Sequence, residues 1–462
     1  MSQIQLETEK IGFREKASFA LANLGNIPIM ALIGGYLMIF YTDIVGLNPT
    51  SVATLFLITR VLDGLNDPVM GYIIDHLPRT KLGRFRTYLL IGVVICSVNY
   101  MLLWFGPAWV PAGKLVVAYI SYVLIGITFD LMDIPLNSMI PAMTADEKER
   151  ASLSTIKGVF YMIGTVIFSV GAPLVISALG ASLPTYYILV FTAIAIVLIC
   201  TIIGVRGIRE RVEPIQDEPY KLKDIFGIIR LRPILSTFLT TLLFGISGAI
   251  SGSSNIYFAT YVLDNRVEIL SLTTILSVVG MVPSLSIAGW LIGKIGKKNL
   301  FTIALIIGCC SPLLRLVNVT SIPLMLVSSV ISGFTLGFGM VLIYNVQADN
   351  VDYVEYATNR RAEGGIASLY SFITKAGGGI GGAISGYILA ATGYVANQVQ
   401  TDTARFGIIT NVLILPVVLY LAACFVFGFG YNITTEKLAE ISATLRERRE
   451  EKARAEQSTS AD

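Results

Sequence analysis

Residues 185–204 read TYYILVFTAIAIVLICTIIG, twenty positions without an Asp, Glu, Lys or Arg, and residues 205–232 follow as VRGIRERVEPIQDEPYKLKDIFGIIRLR. A helix needs about 20 apolar residues to span a hydrocarbon core, whereas a dense run of charge is expelled from it. The junction therefore reads as a membrane crossing that ends at a water-exposed face. Working outward in both directions, apolar runs of similar length recur at 19–41, 52–75, 87–107, 115–142, 155–178, 233–262, 268–293, 299–316, 322–348, 365–391 and 407–431, which with 185–204 makes twelve. A mean hydropathy of +0.71, with 54% hydrophobic and 14% charged residues, is too apolar for a water-soluble chain of this length. An all-α membrane protein is expected, with the lipid bilayer as its solvent and no nucleic-acid partner.

The first eighteen residues are polar and mixed in charge, through Glu7, Glu9, Lys10, Arg14, Glu15 and Lys16, with no apolar core for a signal peptidase to follow. The loops after the even-numbered spans hold 18 Lys and Arg and those after the odd-numbered spans hold three, Lys114, Arg266 and Arg405. Positive charge stays inside, so both termini are expected in the cytoplasm. The basic residues of the tails, Lys437 to Arg454 among them, suit a solvated surface beside anionic lipid. Cys96, Cys200, Cys309, Cys310 and Cys424 lie in apolar spans without ligand spacing and read as packing residues, and His76 is the only histidine.

The charged run at 205–232 is the longest internal break and separates two six-helix halves. Each half has a Gly-rich basic turn after its second helix: Gly71 through Asp75 to Gly83, Arg84, Phe85 and Arg86, and Gly289 and Gly293 through Lys294, Gly296, Lys297 and Lys298. Recurrence at matching positions implies an internal repeat. The boundaries that follow are a cytoplasmic tail at 1–18, a bundle at 19–204, a cytoplasmic loop at 205–232, a second bundle at 233–431 and a charged cytoplasmic tail at 432–462. Two pseudo-symmetric six-helix bundles with internal termini resemble the major facilitator superfamily. The turn after the second helix resembles its cytoplasmic gating motif, which assigns Asp75, Arg84 and Arg86 to a gate.

Four basic residues fall within spans: Arg60, Lys157, Arg315 and Lys375. Buried ionisable residues face a cavity or one another and mark function. In the run Arg60-Val61-Leu62-Asp63-Gly64-Leu65-Asn66-Asp67-Pro68, residues 60, 63 and 67 share a helical face. Carboxylates and an amide oxygen within one turn offer hard ligands to Na⁺, and their crowding also favours holding a proton. Asp130 and Asp133 place a second acidic helix at the same cavity, with Lys157 and Lys375 as counter-charge. Arg315 reads as a snorkelling residue at the interface. Asp349, Asp352, Glu355, Arg360 and Arg361, after the tenth span, are too charged for lipid and read as an ion-pair latch at the cytoplasmic mouth.

Phe40-Tyr41-Thr42-Asp43, the run from Arg60 to Gly71, Gly83 to Arg86, Met132 to Pro135, Asp349 to Tyr356 and Lys375 together resemble the glycoside, pentoside and hexuronide cation symporters, typified by the bacterial melibiose carrier. The resemblance covers nearly the whole chain. It implies a cation site at Asp63, Asn66 and Asp67, a sugar pocket bordered by Asp133, Lys157 and Lys375, and a cytoplasmic gate that includes Arg361 with Asp349 and Asp352. Three positions depart from the galactoside carriers. Ile27 stands in place of a sugar-binding aspartate, with Asn23 and Asn26 as polar substitutes nearby. Asn137 stands in place of a stacking tryptophan, and Asp130 in place of a hydroxyl at the cation site, which adds a further carboxylate. Excess negative charge around one monovalent ion points towards a proton, with Na⁺ the alternative.

The expected function is a secondary symporter of the bacterial inner membrane. It would carry a glycoside, pentoside or hexuronide inward with H⁺ or Na⁺ by alternating access, without a cofactor and without a metal beyond that Na⁺. A cation-coupled lysolipid transporter of the same fold and a receptor or scaffold are the competing expectations. An enzyme is not expected, since no nucleophile with a base, metal cluster or phosphate loop is found.

Overall fold

In hydrocarbon each backbone polar group must find its partner inside the protein, and a helix achieves that within one segment. The computed structural model describes residues 10–76, 78, 80, 82–144, 146–212, 228–358 and 363–459, and these form helices and connecting turns with no strand. Of the functional residues named from the sequence, the side chains of Asp67, Asp75, Arg360 and Arg361 lie outside the described residues.

Among the described residues, ten helical stretches are long and apolar enough to cross a membrane. They are α1 (Phe13–Ile39, continuing through a π-helical segment Phe40–Ile44), α3 (Phe85–Trp109), α4 (Lys114–Asn137), α5 (Glu147–Leu179), α6 (Leu183–Gly207), α7 (Arg232–Tyr261), α8 (Ile269–Ile295), α9 (Lys297–Leu316), α10 (Ile322–Thr358) and α12 (Asp402–Ile409, a π-helical Thr410–Ile414, then Leu415–Gly430). Two more of membrane length, α2 (Pro49–His76) and α11 (Glu363–Ala391), carry the intramembrane charges Arg60, Asp63 and Lys375 and complete the expected twelve. A further helix, α13 (Thr435–Thr459), occupies what composition marks as a charged tail. Several helices outrun their apolar stretches. Thus α10 stays helical through the acidic run from Asp349 to Tyr356.

The chain divides into two units. The first comprises Met1–Asp217, Ala249–Thr274 and Gly382–Ile408. Small residues let its helices approach closely, as expected where lipid supplies no hydrophobic drive between helices. A Cβ at Gly204 of α6 would lie 2.6 Å from the Ser18 carbonyl oxygen of α1, and one at Gly92 of α3 would lie 2.6 Å from the Leu131 carbonyl oxygen of α4. Phe40, Phe105, Trp104 and Tyr186 fill the space between α1, α3 and α6.

The second unit comprises Glu218–Gly248, Ile275–Gly381 and Ile409–Asp462. Its core joins α9, α10, α12 and α13 through Leu300, Phe301, Leu342, Val346, Phe427 and Tyr431. Ile441 and Leu445 of α13 are buried in the same cluster. The final segment is thus an amphipathic helix docked on the bundle, a role that its balanced charges conceal in the sequence. A Cβ at Gly280 of α8 or at Gly333 of α10 would lie 2.0 Å from a carbonyl oxygen of the facing helix. The repeated basic turns share a backbone need: Gly83 has φ +113° and Gly296 has φ +79°, values that favour glycine.

Candidate functional site

Within the first unit, α2 and α4 meet through polar groups. Asn66 donates its side-chain N–H to Asp130 Oδ2 at 3.0 Å. One turn earlier, Asp63 lies against Gly126 so closely that a Cβ there would fall 2.1 Å from Asp63 Oδ1. Asp63 and Asp130 are both buried, at 8% and 4% exposure, which places two carboxylates in an interior of low polarity. Arg60 Nη1 stands 3.3 Å from Asp63 Oδ2. The spacing of 60, 63 and 66 along α2 thus faces one partner helix, and Asp130 joins the cluster.

A second chain of polar groups links α1, α4 and α5. Asn26 donates to Asp133 Oδ1 at 2.5 Å, Asn137 donates to Asp133 Oδ2 at 2.7 Å, and Lys157 donates to the Asn137 amide oxygen. Four residues expected at the sugar pocket therefore form one network. Asn23 is not part of it, because its amide donates to the Phe19 carbonyl of its own helix at 2.8 Å. Ile27 fills the position of the missing aspartate with aliphatic packing: a Cβ at Gly164 of α5 would meet its Cδ1 at 2.7 Å. Lys375 is half-buried on α11 in the second unit. Beside it, a Cβ at Gly377 would lie 3.3 Å from the Leu242 carbonyl oxygen of α7.

The basic turn of the first unit is organised by a residue that spacing does not reveal. Glu210, just beyond α6, accepts the backbone N–H groups of Arg84 and Arg86 at 2.8 Å each. It thereby caps the positive N-terminal end of α3 from a distant part of the chain. Arg86 Nε donates to the Val205 carbonyl at 3.1 Å, so both ends of this clasp lie at α6. Nearby, Arg211 makes a two-pronged pair with Glu15 at 2.7 and 2.8 Å, and Lys16 pairs with Glu149 at 2.7 Å.

The second turn has its own acidic partner. Lys297 lies 2.6 Å from Asp349 Oδ1, while Tyr431 reaches the other oxygen at 3.5 Å. Asp352 and Glu355 are half-buried farther along α10. Tyr356, at its end, donates to Glu440 of α13 at 3.2 Å and receives Arg448 on its carbonyl at 3.1 Å. On α13 the Lys437–Glu440 hydrogen bond, 2.6 Å long, raises the lysine pKa and lowers that of the glutamate. The acidic run is therefore tied both to the repeated turn and to the final helix.

At the far end of α1, opposite its charged start, a further network contains Asp43. Tyr394 donates to Asp43 Oδ1 at 2.6 Å, Tyr261 donates to Oδ2, and Thr42 donates to Oδ1 at 2.5 Å. Asn397 adds a bond to the Asp43 carbonyl at 2.6 Å, and Thr42 meets the Tyr257 hydroxyl at 2.8 Å. In the same unit, Ser177 donates to Glu268 at 3.0 Å, and the buried Ser254 and Ser385 bond at 2.6 Å. The run from Phe40 to Asp43 is visible in the sequence as a motif, yet its hydroxyl partners come from α7 and the α11–α12 connection.

Among the described residues no group of His, Cys, Asp and Glu could hold a metal ion as a cluster. The buried oxygens of α2 and α4, backed by an amide, instead suit a single monovalent cation or a proton.

The model of the MFS/sugar transport protein family matches residues 18–435. The glucuronide carrier protein homolog of Escherichia coli (strain K12) is 30% identical over 445 residues, covering 96% of this chain and 97% of that protein. The isoprimeverose transporter of Lactiplantibacillus pentosus is 29% identical, covering 91% of this chain and 87% of its own. Among solved structures, the nucleoside transporter NupG superposes with a TM-score of 0.63 at 12% identity over 90% of this chain and 99% of that one, a likeness of fold. These relatives are transporters and not enzymes. The chain belongs to the glycoside, pentoside and hexuronide cation symporter family of the major facilitator superfamily.

Proposed function

We propose that the protein is a secondary symporter of the bacterial inner membrane, with both termini cytoplasmic, that moves a glycoside, pentoside or hexuronide inward with H⁺ or Na⁺ by alternating access. The observation that carries this proposal is on α4. Asp130 is bonded to Asn66 of α2, and Asp133, three residues on, is bonded to Asn26 of α1. One helix thus bears a carboxylate of the ion cluster and a carboxylate of the sugar network within a single turn. A shift of α4 on ion binding moves the sugar ligands, and by linkage sugar binding strengthens ion binding by the same factor. The names of the relatives, a glucuronide carrier homolog and an isoprimeverose transporter, favour a sugar acid or a pentose-containing disaccharide. Lys157, in the sugar network, supplies the charge that a uronate needs.

The test is uptake of radiolabelled glucuronide, isoprimeverose and simple glycosides into right-side-out vesicles under an imposed Na⁺ or proton gradient. Accumulation of one sugar driven by one gradient is the expected result. Loss of that sugar's uptake in an Asp133→Asn carrier would assign the network. Absence of gradient-driven uptake across the panel sinks the proposal.

Gly126 gives a sharper check on the ion cluster. An alanine there pushes against Asp63 Oδ1 without removing any oxygen ligand. Gly126→Ala is expected to raise the cation concentration for half-maximal uptake about tenfold, ~1.4 kcal/mol, with less change in the maximal rate. An unchanged cation dependence would mean that Asp63 does not touch the ion.

A further inference from the structure

Val346, Asn350 and Val354 stand one turn apart on one face of α10, and each is 0% exposed. Val346 lies in the core that joins α9, α10, α12 and α13, and Val354 in a second apolar cluster with Ile234 and Phe238 of α7 and Ile366 of α11. Asn350 sits between the two. Among the described residues neither its amide oxygen nor its amide nitrogen has a hydrogen-bond partner, and the side-chain nitrogen of Gln347, three residues earlier, is buried and unbonded as well. The helix does not force this. Asn23, Asn299 and Asn345 each donate to the carbonyl four residues back in their own helices, at 2.8, 2.9 and 2.9 Å, and Asn350 does not. Its neighbour Asp349 is held by Lys297 at 2.6 Å, so the shortfall belongs to the amides and not to the whole turn.

A buried amide without a partner gives up its bonds to water and gains none in return, and asparagine is a poor helix former besides. A leucine at 350 would escape both penalties and make the apolar face continuous from Val346 to Val354. The described arrangement is therefore less stable than this backbone permits, at the turn where its two apolar clusters meet. We propose that Asn350 is a built-in destabiliser, which keeps those clusters from fusing into one core and so leaves α10 free to repack during the transport cycle. The proposal rests on alternating access and gives that movement a point of weakness on a named helix. A carrier that passes repeatedly between two arrangements is slowed by any stability held only in the one it leaves, because that stability adds to the barrier. Asn350 withholds such stability. Packed cores change between discrete arrangements rather than by gradual deformation, and a polar break between two clusters lets one move against the other.

Purified wild-type, Asn350→Leu and Asn350→Val carriers are compared by thermal denaturation in detergent, and by uptake in proteoliposomes of the radiolabelled sugar that the wild type accumulates in the vesicle panel. Leucine matches the branching of asparagine and valine is smaller, so the second fits if the first crowds. The stabilised variant is expected to melt about 2–4 °C above wild type while its initial uptake rate falls about fivefold or more. A residue needed only for packing gives the opposite sign, since its loss lowers the melting temperature. No rise in melting temperature in either variant overturns the proposal, because the amide is then satisfied in the folded carrier. A rise with an unchanged uptake rate also overturns it, since the instability then serves no movement. Melting needs no substrate, so these outcomes are distinct from a failure of the transport reading, which shows as a wild type that accumulates no sugar of the panel.

Discussion

An Asp63→Asn carrier is expected to let sugar equilibrate across the membrane without concentrating it. Asparagine preserves the shape of the side chain against Gly126 but withdraws the negative charge that a cation or proton requires. The proposed sugar ligands on α1, α4 and α5 remain in their network, so downhill movement is expected to survive. The loss is of coupling, since an ion that no longer binds can no longer transmit its gradient. Uptake into energised vesicles, compared with exchange under no gradient, measures the two separately. Full accumulation by this variant would remove Asp63 from the ion path.

The second large effect is expected at Asp43. Its carboxylate takes hydroxyl donors from Thr42, Tyr261 and Tyr394, which join the end of α1 to α7 and to the α11–α12 connection. A hydrogen bond to a charged acceptor contributes roughly 1.5–3 kcal/mol, and neighbouring bonds do not add simply. Under the proposed alternating access, loss of the carboxylate in Asp43→Ala is therefore expected to shift the opening equilibrium of this end by about tenfold or more, on the order of 1.4 kcal/mol. With the native cysteines replaced, Ser254→Cys reports the change, because Ser254 is fully buried beside Ser385. Labelling by a membrane-impermeant maleimide is expected to accelerate about tenfold in the Asp43→Ala background, and less in Tyr394→Phe, where a single donor is lost. An unchanged labelling rate in both would show that the network does not hold this end shut.

What could be read from the sequence depended on the range of the interaction. The crossings follow from composition over windows of helical length; among the described residues ten helices are long and apolar enough to cross a membrane, and α2 and α11 are of comparable length. Asp63 and Asp130 stand out because charges within apolar runs are costly, with the amide of Asn66 beside them; Asn66 bonds Asp130, and Asp63 lies against α4 at Gly126. Asn23 and Asn26 are one turn apart on α1, and no local pattern distinguishes the one that bonds its own backbone from the one that reaches Asp133. Glu210 was hidden for a different reason: its partners, the N–H groups of Arg84 and Arg86, are backbone atoms far away in sequence, which carry no residue signature. Likewise, the burial of Ile441 and Leu445 is two side chains in a run dominated by charge. Asp43 illustrates the remaining case, a recognisable motif whose partners are tyrosines, residues too common in membrane helices to draw notice.

The π-helical segment at the end of α1 fixes the phase of that helix. There the Val45 N–H bonds the Phe40 carbonyl, five positions back, at 3.0 Å. Such a segment amounts to one extra residue in an otherwise regular helix, and each residue turns a helix by about 100°. Asn26, which faces Asp133, and Asp43, which faces Tyr261 and Tyr394, are therefore keyed to each other by the number of residues between them as well as by their identities. A deletion of one residue in this part of α1 would swing the carboxylate out of reach of its tyrosines while leaving hydropathy and composition almost untouched. Gaps within α1 are accordingly the changes to weigh most heavily when relatives of this chain are aligned, since a single missing position rotates one functional face against the other.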